Sequence, residues 1–291
     1  MRSIIPILTV VAAIFAIWFV GSFFMNKQWT LDQAERAGTT LSFSEVLADT
    51  MTQERPKLPT PIQVFDELWE TTGAKVLDGK AMSKRSLIYH GWITLSSTLV
   101  GFVIGTLAGI LLAVGIVHNK AMDMSVMPWA IASQTIPILA IAPMIVVVMN
   151  SIGVQGLLPK AIIAAYLSFF PVVVGMVKGL RSPNAMQLDL MKTYNAGQFE
   201  TFWKLRLPSS MPFLFTSLKV GIAASLVGAI VAELSSSPLA GFGGRMLSGS
   251  YYGQTIQIWS ALFAAAIVAA CLVGIVGVIQ QLTLKKMGMA Q

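Results

Sequence analysis

Cysteine is all but missing from this chain: of 291 residues only Cys271 is one, so no intrachain disulfide can form and the redox compartment leaves no trace. It sits in an apolar run, where packing is the expected role. Histidine is hardly commoner. His90 and His118 are the two present, at the ends of another apolar stretch, which suits an interfacial position better than a ligand role. There is no His-Glu-x-x-His, no Gly-x-Ser-x-Gly and no pair of aspartates within an apolar run, so neither a metal nor a nucleophile constellation can be assembled. A non-catalytic chain is expected. The Gly-x-x-x-x-Gly-Lys-Ser/Thr loop is absent too, so ATP phosphates cannot be cradled here in the P-loop manner. Charge is thin: 11% of residues are charged, against about 25% in an ordinary soluble domain, and 55% are hydrophobic. The net charge of +7 is scattered through loops beside apolar runs, which suits the positive-inside rule better than nucleic acid. With a mean hydropathy of +0.72, this is a polytopic membrane protein.

What the chain does have is long apolar runs. Ile4 to Phe24 is apolar for about 20 residues, enough to cross a bilayer. The bulky Phe23-Phe24-Met25 that closes it lacks a signal-peptide cleavage site, so residues 1–25 are expected to form a retained anchor helix. Residues 26–86 turn polar and nearly charge-balanced, an extracytoplasmic segment. Within it Thr60 reads as an N-cap, Pro61 as the first helical residue and Gln63 as completing a capping box. The short helix they open puts Val64, Phe65, Leu68 and Trp69 on one face. Residues 87–291 then hold five more runs: Leu87–Val117, Met127–Met149, Leu158–Val177, Phe213–Leu234 and Ile256–Leu282. The predicted fold class is all-α, with six transmembrane helices.

Two of these runs carry internal signals. Gly101, Gly105 and Gly109 recur every fourth residue, a spacing that lets helix backbones approach closely. Met127–Met149 contains Ser133, Gln134, Thr135, Pro137 and Pro143, and mid-span prolines free backbone carbonyls. Either the prolines only kink the helix or the run walls a pathway. On the second reading Ser133, Gln134, Thr135 and Pro137, with Phe169 and Phe170 of the next run, would offer a solute hydrogen bonds and stacking but no fixed positive charge.

Residues 181–212 lie between apolar runs yet hold Arg181, Lys192, Lys204 and Arg206 against Asp189 and Glu200, too polar to cross a bilayer. Ser182-Pro183 reads as a cap and first residue of a helix that ends at Asn195, which tolerates the left-handed conformation. Phe199, Phe202, Trp203 and Arg206 then fall at i, i+3, i+4 and i+7 of a second helix. Pro208 is expected to stop it, with Ser210 capping the next helix and Pro212 in that helix's first turn.

An acid at Asp189, a turn residue six positions later at Asn195, then aromatic and basic residues closing on Leu207-Pro208: this order resembles the EAA loop of bacterial ABC importer permeases. It is most similar to the branch that serves nitrate, sulfonates, taurine, pyrimidine precursors and riboflavin. Leu190 and Met191 stand where that family has small residues and Asn195 where it has glycine, a turn that Asn can still make. Leu58-Pro59-Thr60-Pro61 and Ile136 to Pro143 also resemble that branch, and the likeness covers most of the chain from Leu58 onward. It implies a type I importer permease whose cytoplasmic coupling loop docks on an ABC ATPase. Asp189, Asn195, Phe199, Phe202, Trp203, Lys204, Arg206, Leu207 and Pro208 would carry that loop. It further implies a second permease subunit, read as an identical copy, and a periplasmic or lipid-anchored solute-binding protein. No cofactor would sit on this chain, ATP and magnesium belonging to the partner ATPase. Among solutes, a vitamin or pyrimidine-type organic molecule is preferred over nitrate, sulfonate or taurine.

Charge orients the spans in the inner membrane. With both termini cytoplasmic, Arg2, Lys120, Lys178, Arg181, Lys192, Lys204, Arg206, Lys285 and Lys286 all fall inside, against Lys160 and Arg245 in the short outer loops. An ion-coupled secondary transporter is the alternative, since such proteins carry ionisable groups within their spans. Glu233 is the only acid in a span, about one turn from its outer end. It is expected to serve an outer gate, reaching interfacial water or pairing with Arg245; a merely solvated carboxylate is the other reading.

Overall fold

A computed structural model describes residues 4–236 and 239–289, and among them every regular element is helical. Arg2, used above for orientation, lies outside the described residues. The chain divides into two compact units, one reaching to Gly91 and including Gly244–Ala265, the other Trp92–Gly243 and the residues from Ala266 onward.

In the first unit α1 (Ile4–Ala37) does not stop where the apolar run ends but continues through Asn26. It closes at Gly38, φ +66°, where Thr39 N–H returns to the Ala34 carbonyl. The polar part of α1 clamps the following chain. Asn26 donates to the Leu58 carbonyl at 2.8 Å and accepts from the Leu58 N–H at 3.1 Å, and Trp18 donates to the Pro59 carbonyl at 2.9 Å. After α2 (Phe43–Thr52), α3 (Pro61–Thr71) begins as expected, with Thr60 and Gln63 capping each other's backbone. Its apolar face is split: Val64 is buried, whereas Phe65 and Trp69 stay exposed. A short α4 (Gly73–Leu77) follows.

α5 (Leu87–His118) carries the glycine ridge into the second unit, where it meets α8 (Leu157–Leu180). A Cβ on Gly101 would stand 2.6 Å from the Ala161 carbonyl oxygen, one on Gly105 2.8 Å from that of Ala165, and one on Gly109 2.9 Å from that of Phe169. The spacing read from the sequence is therefore a backbone-to-backbone contact. The other side of α8 packs on α11 (Leu207–Leu234) in the same way, with Gly175 against Ser217 and Gly179 against Ser210. Val172, Val173, Met176 and Leu180 of α8 are consequently inaccessible and form the core with Ala113 and Ile116 of α5. This matters in lipid, where close van der Waals packing replaces the hydrophobic drive.

The expected single span Met127–Met149 is not one helix. It is α6 (Lys120–Ser133) and α7 (Ile138–Ser151), bent by 98° at the intervening turn. Pro137 caps α7 from extended backbone (ψ 116°), having no N–H to continue a ladder and disfavouring helix in Ile136 before it. Pro143, by contrast, sits inside α7 without breaking it. Among the described residues, five helices are long and apolar enough to cross a membrane, giving six spans if the bent pair counts as one. Of these the last is α13 (Thr255–Lys286), preceded by α12 (Gly241–Tyr251); Cys271 on α13 is exposed.

Candidate functional site

The 181–212 loop is rooted at both ends. Arg181, just past α8, pairs with Asp123 of α6 at 2.8 Å, and Arg206 donates to the Leu180 carbonyl at 3.2 Å, satisfying a group that the end of α8 leaves open. Between these roots α9 (Ala185–Thr193) is capped by Asn184 in a box with Gln187. Ser182 is therefore not the cap; its hydroxyl turns back to the Gly179 carbonyl at 2.7 Å and helps close α8. Asn195 takes the left-handed conformation expected of it, at φ 51°, the only positive φ outside glycine among the described residues.

The second helix also departs from expectation. α10 (Gln198–Thr201) passes into a π-helical segment, Phe202–Arg206, which runs straight into α11. Pro208 does not end it. The π turn has already shifted the hydrogen-bond ladder, so the proline falls where a missing N–H breaks nothing. Ser210 caps no new helix either; it donates to the Leu207 carbonyl, and Pro212 lies within α11.

This winding sorts the aromatic residues. Phe202 turns inward onto the core formed by α5 and α8, its ring 5.4 Å from that of His118. Phe199 and Trp203 stay outside, 76% and 53% exposed; Met186 and Leu190 of α9 and Tyr194 just past it are exposed too. No residue of α9 or α10 is buried. The charges are largely occupied within the loop: Lys192 with Asp189 at 2.9 Å, Lys204 with Glu200 at 2.8 Å, and Arg206 at its carbonyl. Leu207 packs onto the core with Phe202.

Glu233, at the other end of α11, is fully buried. Thr94 of α5 donates to its carboxylate at 2.8 and 3.0 Å, and the Gly243 N–H at 2.9 Å; Thr94 in turn accepts from the Phe242 N–H at 2.9 Å. The carboxylate thus caps the first turn of α12, where open N–H groups and the helix dipole favour an anion. Its pairing with Arg245 is not made, since Arg245 bonds Glu67 at 3.3 Å, and burial rules out a solvated carboxylate. Sequence reasoning named Glu233 but not Thr94, and it placed Lys160 in a short outer loop, whereas Lys160 lies in the first turn of α8 and is buried. The Gly241-Phe242-Gly243 spacing was the available signal: a Cβ on Gly241 would lie 2.1 Å from the carboxylate.

Residues 105–288 match the family described as the binding-protein-dependent transport system inner membrane component. The chain belongs to this family. As one of its permeases it has similar relatives of differing cargo. The formylaminopyrimidine transport permease protein ThiX of Halalkalibacterium halodurans is 28% identical over 68% of this chain and 74% of its own. The riboflavin transport system permease protein RibX of Chloroflexus aurantiacus is 25% identical over 78% and 80%, and the nitrate import permease protein NrtB of a Synechocystis strain 26% over 78% and 77%. An ABC importer permease for a small solute, with several helices crossing the inner membrane, is the result.

In this permease the candidate pathway residues do not form one cluster. Ser133 accepts the Tyr166 hydroxyl through its carbonyl, and Tyr166 stands 6.0 Å from the Phe169 ring. Gln134 and Thr135 are exposed in the bend that Pro137 closes. Phe170 points elsewhere, into a hollow between α8 and α11. Adjacent residues on a helix diverge by about 100°, and here Phe169 and Phe170 turn to different neighbours.

Proposed function

We propose that the chain is the pathway-forming subunit of an ABC importer whose 181–212 loop couples it to a cytoplasmic ATPase. The observation that carries this is the exposure of the large apolar side chains Met186, Leu190, Tyr194, Phe199 and Trp203, in a loop too polar to cross lipid. A partner that covers them would stabilise the assembly, since large aromatic side chains each contribute roughly 1.5–3 kcal/mol on burial. Lacking a P-loop, the permease leaves ATP and magnesium to that ATPase. Two copies would enclose the pathway, a binding protein would deliver the solute from outside, and both termini would be cytoplasmic, as the charge bias favours. Asp189 and Asn195 shape the docking loop, the one pairing with Lys192 and the other turning the chain. At the far end Glu233 would serve the outer gate by holding α12 in place.

For the solute we favour a heteroaromatic vitamin or precursor over nitrate or sulfonate. Relatives named for formylaminopyrimidine and riboflavin support that preference, and those named for nitrate oppose it. Phe199→Ala with Trp203→Ala should leave the permease inserted while detaching the ATPase and abolishing uptake. Normal ATPase retention in that variant would place coupling elsewhere. Uptake of labelled nitrate but not of riboflavin or aminopyrimidines would overturn the solute preference alone.

A further inference from the structure

Two hollows meet at the loop end of α11. One, about 600 Å³, is apolar, with Phe170, Pro171 and Val174 of α8 opposite Phe213 and Val220 of α11. The other, about 620 Å³, lies between α11 and the end of α13 and presents Lys219, Lys285, Gln280 and Gln281. Pro212 and Thr216 line both. Among the described residues, no carboxylate lines either one.

Lys219 is half-buried about three turns into a spanning helix, and among the described residues it makes no ion pair or hydrogen bond. The Thr216 hydroxyl is committed to the Pro212 carbonyl at 2.8 Å, so the donors left to a ligand are the two ammonium groups and the two amides. A cation in an apolar span needs an anion or water, and a lysine stem can reach along apolar surface towards the helix end to meet one. A third cation, Lys178, stands at the mouth of the apolar hollow, its Nζ 5.9 Å from the Phe213 ring centroid.

We propose that the paired hollows hold one anionic phospholipid, its phosphodiester against Lys219 and Lys285 and an acyl chain along Phe170, Pro171, Val174 and Val220. The charge fits such a headgroup and the adjoining apolar hollow fits its tail. A free oxyanion would fill only the cationic half. A second permease copy laid over the apolar half would leave two ammonium groups beside it without a counter-charge.

Purified permease in neutral detergent is titrated with phosphatidylglycerol, phosphatidylcholine or inorganic phosphate, and binding is read by native mass spectrometry. Phosphatidylglycerol should bind well above the other two. Lys219→Gln with Lys285→Gln should weaken it about thirtyfold, each lysine near an anionic lipid being worth a factor of about five. Val174→Trp, which fills the apolar hollow without altering charge, should weaken it as well, and Lys219→Arg should retain it. Circular dichroism and gel filtration establish that each variant is folded; if the double variant is not, Lys285→Gln alone should give about a fivefold loss. Unchanged phosphatidylglycerol binding in the folded lysine variants overturns the proposal. So does competition by inorganic phosphate at equal concentration, which would mark a free-oxyanion site, or a disulfide between two copies through Val220→Cys, which would mark an interface.

Discussion

The two ends of α11 treat their demanding groups in opposite ways. At one end a buried carboxylate, Glu233, is met by Thr94 and Gly243, and glycine at 241 and 243 clears the space it needs. At the other, Phe199 and Trp203 stand in solvent with Met186, Leu190 and Tyr194. Burial with full pairing marks a group used to build this fold; apolar surface left open marks one used on something else. Both residues are functional candidates by type, yet only the second is available to a partner.

Mutation should separate the two ends sharply. Glu233→Ala strands the Gly243 N–H and removes an acceptor of the Thr94 hydroxyl, and should cost about 3 kcal/mol in a denaturant titration of the permease. Gly241→Ala is expected to follow at about 2 kcal/mol, since φ +93° is strained for any side chain and the new Cβ would strike the carboxylate. Loosening of α12, seen as new protease cleavage between Gly241 and Tyr251, should accompany both. If either variant unfolds no more easily than the parent, the clasp is not what holds α12.

At the loop end the contrast lies within one turn. Phe202→Ala, which removes a ring from the α5–α8 core, should cost about 1–2 kcal/mol. Phe199→Ala with Trp203→Ala should shift stability by less than about 0.5 kcal/mol while lowering ATPase capture at least tenfold. Equal stability losses for inward and outward aromatics would erase the distinction drawn here. The smallest effect is expected at Asn195: alanine should cost about 1 kcal/mol at its left-handed φ and glycine almost nothing.

Where residues act through near neighbours, the sequence was a good guide. The Thr60–Gln63 box, the left-handed Asn195 and the glycine ridge of α5 are all written within a few positions, and each is present. Boundaries between competing local signals were not legible. Ser182 and Asn184 are both good caps two residues apart, and only the demand of the α8 end for a partner decides between them. Pro208 reads as a stop because no local pattern announces a π turn. The site at Glu233 depends on Thr94, far earlier in the chain, and the cationic hollow on residues of α13 far later. Such meetings belong to packing, which periodicity alone does not encode.

The join at Phe202–Arg206 has a mechanical meaning. The helix is continuous from Gln198 to Leu234, so on the proposed reading the docking segment and the spanning segment share one backbone. If the loop docks as proposed, a displacement at Trp203 acts on a helix that reaches Glu233 about 45 Å away. There the Glu233 carboxylate accepts from the Gly243 N–H, so the far end of that helix is tied to the first turn of α12.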